Sequence, residues 1–355
     1  MPSTAYLHAV GTATPSHDIH RAFVDWASAR LSDRREAALF RRMDQRAGIG
    51  ARWSVLPPTP DGGSPVAAGG FYAVDPLPPT SARMTIYAEA APALAMEAIA
   101  ALADKVALDG ITHLVVASCT GFMAPGLDQI LAARLGLDPG VERTLVGFMG
   151  CYAAIVALRT AHHIVRSEPA ARVLVVTVEL STLHLQPADA LEPLLAMLQF
   201  GDGAAAALVT GEPGGFAIRQ PFAATLPDTA GLIRWAIGDT GFAMHLSGAV
   251  PGHIAQALGD PDFRARILPE GIDAIDAWAV HAGGRSILDA VGQALDLPAA
   301  ALAESRGVLA RYGNMSSATL MLVLADLLAR PTARNGLAVA FGPGLAADGF
   351  RFART

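Results

Sequence analysis

Lysine is almost missing from this chain of 355 residues: Lys105 is the only one among 26 basic side chains. Any anion site must therefore be built from arginine, whose planar fork can grip a phosphate through two parallel hydrogen bonds. Cysteine is nearly as scarce. Cys119 and Cys151 stand alone, which excludes a disulfide framework and any cysteine-based metal spacing, and fits a reducing compartment. Charge is thin, at 16% of residues, and sums to −6, so the chain as a whole would not seek nucleic acid electrostatically. The amino terminus has no basic segment followed by an apolar one. No unbroken apolar run approaches the roughly 18 residues of a membrane span. A cytoplasmic protein without a membrane span is the expectation. What the chain has in quantity is hydrophobic residues, 52%, with a mean hydropathy of +0.37, enough for a large core and for two lobes.

Three stretches carry chemistry. In Val146-Gly-Phe-Met-Gly-Cys151-Tyr, two glycines permit a sharp turn, and Ala153, Val156, Ala157, Ala161 and Ile164 then recur with helical spacing. Cys151 is thus placed at a helix N-terminus, where free N–H groups and the dipole favour thiolate. The plain structural alternative is a small apolar residue packed under a helix. In Asp276-Ala-Trp-Ala-Val-His281-Ala-Gly-Gly, a short apolar strand ends on a histidine and turns into a helix. In Arg311-Tyr-Gly-Asn314-Met-Ser-Ser317, an asparagine precedes a helix apolar nearly all round, and such a helix is buried. Alone, His281 also reads as a satisfied core histidine, and Asn314 as a helix cap.

Taken together the three stretches resemble the type III polyketide synthases, the chalcone synthase-like branch of the thiolase superfamily, and most of all its bacterial alkylpyrone and alkylresorcinol synthases. Cys151, His281 and Asn314 stand in the family's order. Phe200-Gly-Asp-Gly-Ala and Phe341-Gly-Pro-Gly-Leu345 also look like family signatures, and the likeness runs from about Ala5 to about Phe352. It implies an α/β thiolase-like fold of two similar α/β halves in an α-β-α-β-α layering. Residues 1–213 would carry the nucleophile and 214–355 the histidine and asparagine. It implies a homodimer, acyl-CoA and malonyl-CoA as substrates, no metal and no cofactor.

The resemblance also assigns lining residues. Phe200 falls on a gatekeeper phenylalanine, and Met244 on the second gatekeeper, where methionine departs from the pattern. Cys119, Ser181, His184, Trp235 and Ser316 would line the acyl cavity. Ala124 stands where plant members close the cavity floor with methionine, which favours a long aliphatic starter. Among Arg41, Arg42, Arg46 and Arg52, the family's coenzyme A phosphates would fall to Arg46 and Arg52.

With Cys as acyl acceptor and His and Asn as donors to a developing enolate oxygen, the implied reaction is iterative decarboxylative condensation of malonyl-CoA onto a thioester, giving alkylpyrones or alkylresorcinols. Two other readings stay open. One is a ketoacyl synthase III-like single condensation onto an acyl carrier protein, disfavoured by Met315 where such enzymes more usually carry threonine. The other is a non-catalytic acyl-binding subunit.

Overall fold

The alternation of side chains along the strands organises the molecule. The computed structural model describes residues 3–355. In the strand Arg172–Leu180, Val173 and Val175 enter one hydrophobic cluster, while Leu174, Val176 and Val178 enter another on the opposite face. The strand Asn335–Gly342 does the same, sending Ala338 and Ala340 into the first cluster and Leu337, Val339 and Phe341 into a third. Period-two alternation of this kind, apolar on both faces, means a sheet covered on both sides.

Among the described residues nine strands form one mixed sheet, and its two ends repeat a pattern. In the amino-terminal half, His113–Ser118 runs parallel to Arg172–Leu180. That strand pairs antiparallel with Asp202–Thr210, which pairs antiparallel with Ala5–Ala13. In the carboxyl-terminal half, Ala277–Val280, Asn335–Gly342, Ala346–Arg354 and Phe216–Thr225 follow in the same order and orientations. The halves meet where Ala5–Leu7 pairs with Phe216–Ile218. The first half adds one edge strand, Glu142–Gly147. This is the thiolase-like fold the sequence led us to expect.

Two helices, Ala153–Ser167 and Ser317–Ala329, touch strands of both halves and each other, so they form the middle layer. The second is buried at nine positions from Ser317 to Leu327, which explains why it is apolar on every face. The outer face of the first half is covered by Thr80–Ala103. This helix is long and apolar enough to cross a membrane, yet it packs on three strands of the sheet. It comes so close to Ala5–Ala13 that a Cβ on Gly11 would lie 2.2 Å from the Leu102 nitrogen. Arg285–Ala294 and Ala303–Tyr312 cover the other half.

Candidate active site

Cys151 follows the edge strand Glu142–Gly147 through a tight turn and sits in a single 3₁₀ turn, Gly150–Tyr152, that runs into the middle-layer helix Ala153–Ser167. The turn requires glycine at 150: its φ is +66°, and a Cβ there would lie 2.6 Å from Cδ of Pro343, in the Gly342-Pro343-Gly344 turn. His281 follows the strand Ala277–Val280 and is held by a 2.9 Å bond from its N–H to the Val339 carbonyl. The Asn314 backbone is pinned by the first half: its N–H donates to Gln199 O at 2.8 Å, and its carbonyl accepts from Gly201 N–H at 3.0 Å. The Asn314 side chain donates through Nδ2 to Gly283 O at 3.2 Å and accepts the Ser316 N–H on Oδ1 at 2.8 Å. Three elements far apart in the chain thus place Cys151, His281 and Asn314 on the wall of one cavity of about 330 Å³, shared with Phe200 and Met244.

Electrostatically the cavity is dry. Burial pushes the Cys151 thiol up to about 11, against hydrogen bonds from Ser316 and Asn314 that lower it. Burial also pushes the His281 imidazole down to about 3. A helix end contributes about 0.3–2 kcal/mol toward the thiolate, and desolvation of the buried sulfur opposes it. Both ring nitrogens of His281 are buried without a protein partner, as are Ser181 Oγ and Trp235 Nε1 close by. The unpaired nitrogens of His281 face the cavity it shares with Cys151, while Ser181 and Trp235 line the chambers behind it.

Behind Cys151 lies a second, small chamber lined by Cys119, Ser181, Phe200, Trp235, Met244 and Ser316. A third continues from it, apolar and closed by Phe23, Leu56, Val66, Tyr72, His184 and Phe242, with Ser181, Phe200, Trp235 and Met244 again on its wall. Phe200 and Met244 border all three spaces, as residues at a junction must. Trp235 and Met244 face each other across the hairpin of Ile233–Gly238 and Gly241–Leu246.

Cys119 is tied to a buried carboxyl. Its Sγ lies 3.3 Å from the buried Glu179 carboxyl, and burial and then that carboxyl hold its thiol well above the ordinary range. Glu179 itself accepts hydrogen bonds from Cys119 N–H, Thr120 Oγ1 and Ser317 Oγ, a network bridged to Ser316 through the Cys119 sulfur. His184 is scaffolding that lines: Nε2 donates to Thr120 O at 2.7 Å, Nδ1 accepts from Phe242 N–H at 3.0 Å, and the ring stacks on Phe242.

One expectation fails geometrically. Arg52 is 2% exposed, and its guanidinium is turned inward onto His20 and the carbonyls of Met197 and Phe200, so no coenzyme A phosphate can reach it. Ala124 is exposed on the loop after His113–Ser118 and lines none of the three chambers of its own chain. Arg46, by contrast, is exposed on the helix Arg34–Ala47, whose Met43 lines the mouth of the cavity with the cysteine. Sequence reasoning missed Ser64, Pro65, Val66 and Tyr72, which line the apolar chamber from a proline- and glycine-rich segment. It also missed Gly283, whose carbonyl orients Asn314.

Comparison with known proteins gives a consistent picture. Residues 2–213 match the family model "Chalcone and stilbene synthases, N-terminal domain", and residues 217–353 match its C-terminal counterpart. An "Alpha-pyrone synthesis polyketide synthase-like Pks18" of Mycobacterium tuberculosis is 36% identical over 287 residues, covering 76% of this chain and 72% of that protein. The 1,3,6,8-tetrahydroxynaphthalene synthase of Streptomyces peucetius is 34% identical over 358 residues, covering 96% and 90%. Among solved structures, PKS-I of the brown alga Ectocarpus siliculosus superposes with a TM-score of 0.86 at 29% identity, covering 100% of this chain and 99% of that one. The type III polyketide synthase domain of Steely1 from Dictyostelium superposes with a TM-score of 0.90 at 25% identity, covering 99% of each.

Proposed function

Because this chain belongs to the chalcone and stilbene synthase family, the type III polyketide synthases, we propose that it extends a fatty acyl-CoA starter with malonyl-CoA and releases the product as an alkylpyrone or alkylresorcinol. The observation that carries the chemistry is the convergence of Cys151, His281 and Asn314 on one cavity. His281 takes the thiol proton as Cys151 sulfur attacks the starter carbonyl, and passes it to the departing thiolate, so CoA-SH leaves and an acyl thioester remains. Malonyl-CoA then loses carbon dioxide. The enolate oxygen formed is held by N–H donors of His281 and Asn314, which bind it more strongly as charge develops. The enolate carbon attacks the acyl-Cys151 carbonyl and releases the sulfur for the next round.

The long starter is supported by the apolar third chamber, reached from Cys151 past Ser181, Trp235 and Met244. A pyrone product is supported by the name of the mycobacterial relative. Arg46 is our candidate for the coenzyme A phosphates. A homodimer through the first half is supported by the edge strand Glu142–Gly147 and by three large apolar side chains exposed on or beside it, Phe122, Leu145 and Phe148. Mass spectrometry of products from a panel of acyl-CoA starters with malonyl-CoA tests the proposal: pyrones or resorcinols carrying the starter's chain are expected. No condensation product with any starter would reject it. Consumption of malonyl-carrier protein, with malonyl-CoA ignored, would favour a ketoacyl synthase instead.

A further inference from the structure

At the far end of the helix that begins behind Cys151, about 22 Å along its axis, three potential ligands converge on a separate cleft. His113 opens the strand His113–Ser118 and is 5% exposed. Its Nε2 lies 3.7 Å from a Glu142 carboxylate oxygen and 3.9 Å from one of Glu168, and the three atoms are all within 4.8 Å of one another. Glu142 starts the edge strand, and Glu168 ends the helix Ala153–Ser167. His163 lines the same cleft, of about 350 Å³.

Hydrogen bonding fixes the orientation of the imidazole. Thr112 Oγ1 accepts the Arg172 N–H at 3.0 Å and lies 2.8 Å from His113 Nδ1, which turns Nε2 toward the cleft. Two carboxylates gathered at one ring nitrogen repel each other unless a positive charge lies among them. A histidine whose other nitrogen is held by a hydroxyl is oriented as metal-bound histidines are.

We propose that His113, Glu142 and Glu168 form a divalent-metal site, with Zn²⁺ best matched to one imidazole and two carboxylates. Zn–ligand distances of about 2.0–2.2 Å set donor atoms about 3.3–3.6 Å apart in a tetrahedron. The two histidine–glutamate separations, 3.7 and 3.9 Å, need to close by only a few tenths of an ångström. The two glutamate side chains, 74% and 59% exposed, are free to swing inward. His163, on the wall of the same cleft, is a candidate for a fourth donor. Such an ion ties the tail of the nucleophile helix to the first residues of two strands, so its effect is on stability rather than on the reaction.

Titrating the metal-stripped full chain with Zn²⁺ by calorimetry, and following thermal unfolding, tests this. One ion per chain is expected, with the unfolding midpoint raised by about 2–5 °C at saturating metal. Glu142→Gln and Glu168→Gln, at exposed positions that leave the fold intact, should each weaken binding by about tenfold or more, and His113→Ala should abolish it. Co²⁺ in place of zinc should give visible bands without thiolate charge transfer. The absence of binding at about 1 mM Zn²⁺ would overturn the site, as a single proton on Nε2 would then suffice as the cation. Binding that both glutamine variants leave intact, or that disappears in Cys151→Ser, would overturn it equally.

Discussion

Ser181→Phe tests whether the third chamber holds the starter's tail. Ser181 borders both chambers behind Cys151, and its hydroxyl is buried with no protein partner, so the substitution removes an unsatisfied group while plugging the passage. Each methylene moved from water into an apolar chamber contributes about 0.8 kcal/mol, or about fourfold in kcat/KM. In the native chain kcat/KM should climb with starter length at up to that rate until the chamber is full. In Ser181→Phe the dependence should flatten, with long starters losing about tenfold or more and the shortest staying within a few-fold. The assay is competition between acyl-CoA starters of graded length, with products quantified by mass spectrometry. A native and a variant enzyme with the same slope would refute the assignment, because the tail would then lie elsewhere.

Asn314→Ala removes a donor at the decarboxylation site, and turnover should fall about 10²–10³-fold while Cys151 still becomes acylated; loss of acylation as well would make Asn314 a structural residue. The thiol pushed up to about 11 and the imidazole pushed down to about 3 make a pH prediction: alkylation of Cys151 by iodoacetamide should quicken about tenfold per pH unit from 7 to 10. A rate already level below pH 7 would show a preformed thiolate–imidazolium pair instead. Arg52→Ala leaves the Phe200 and Met197 carbonyls without their donor and should destabilise the chain by about 3–5 kcal/mol, read in denaturant, whereas Arg46→Ala should leave stability unchanged and raise KM for malonyl-CoA. Equal effects on KM from both would contradict the inward placement of Arg52. Gly11→Ala would force a Cβ against the helix Thr80–Ala103 and should lower the unfolding midpoint, since the contact is with backbone that cannot step aside.

Local chemistry explains what was legible beforehand. The strand ending at His281, the turn into the Cys151 helix and the all-apolar helix after Asn314 each announce themselves in a few adjacent residues, through period, glycine and a polar residue at the boundary. Side-chain direction is not announced. Arg46 and Arg52 look alike in a basic segment, yet one is on a solvated helix face and the other is drawn inward by carbonyls contributed from residues about 150 positions away.

From the amino-acid sequence alone came the three polar groups and the exclusion of disulfides, which follow from residue types and short-range spacing, and the thiolase-like architecture, which followed from resemblance to a family. Tertiary structure alone decided that those groups share one cavity, that burial opposes the charge the helix dipole favours on Cys151, and that a proline- and glycine-rich segment walls the apolar chamber. It also brought His113, Glu142 and Glu168 together from three separate segments, where no spacing motif could reveal them. The reason is common to all of these: desolvation and convergence depend on which distant segments the chain packs together, and neighbours in sequence carry no record of that.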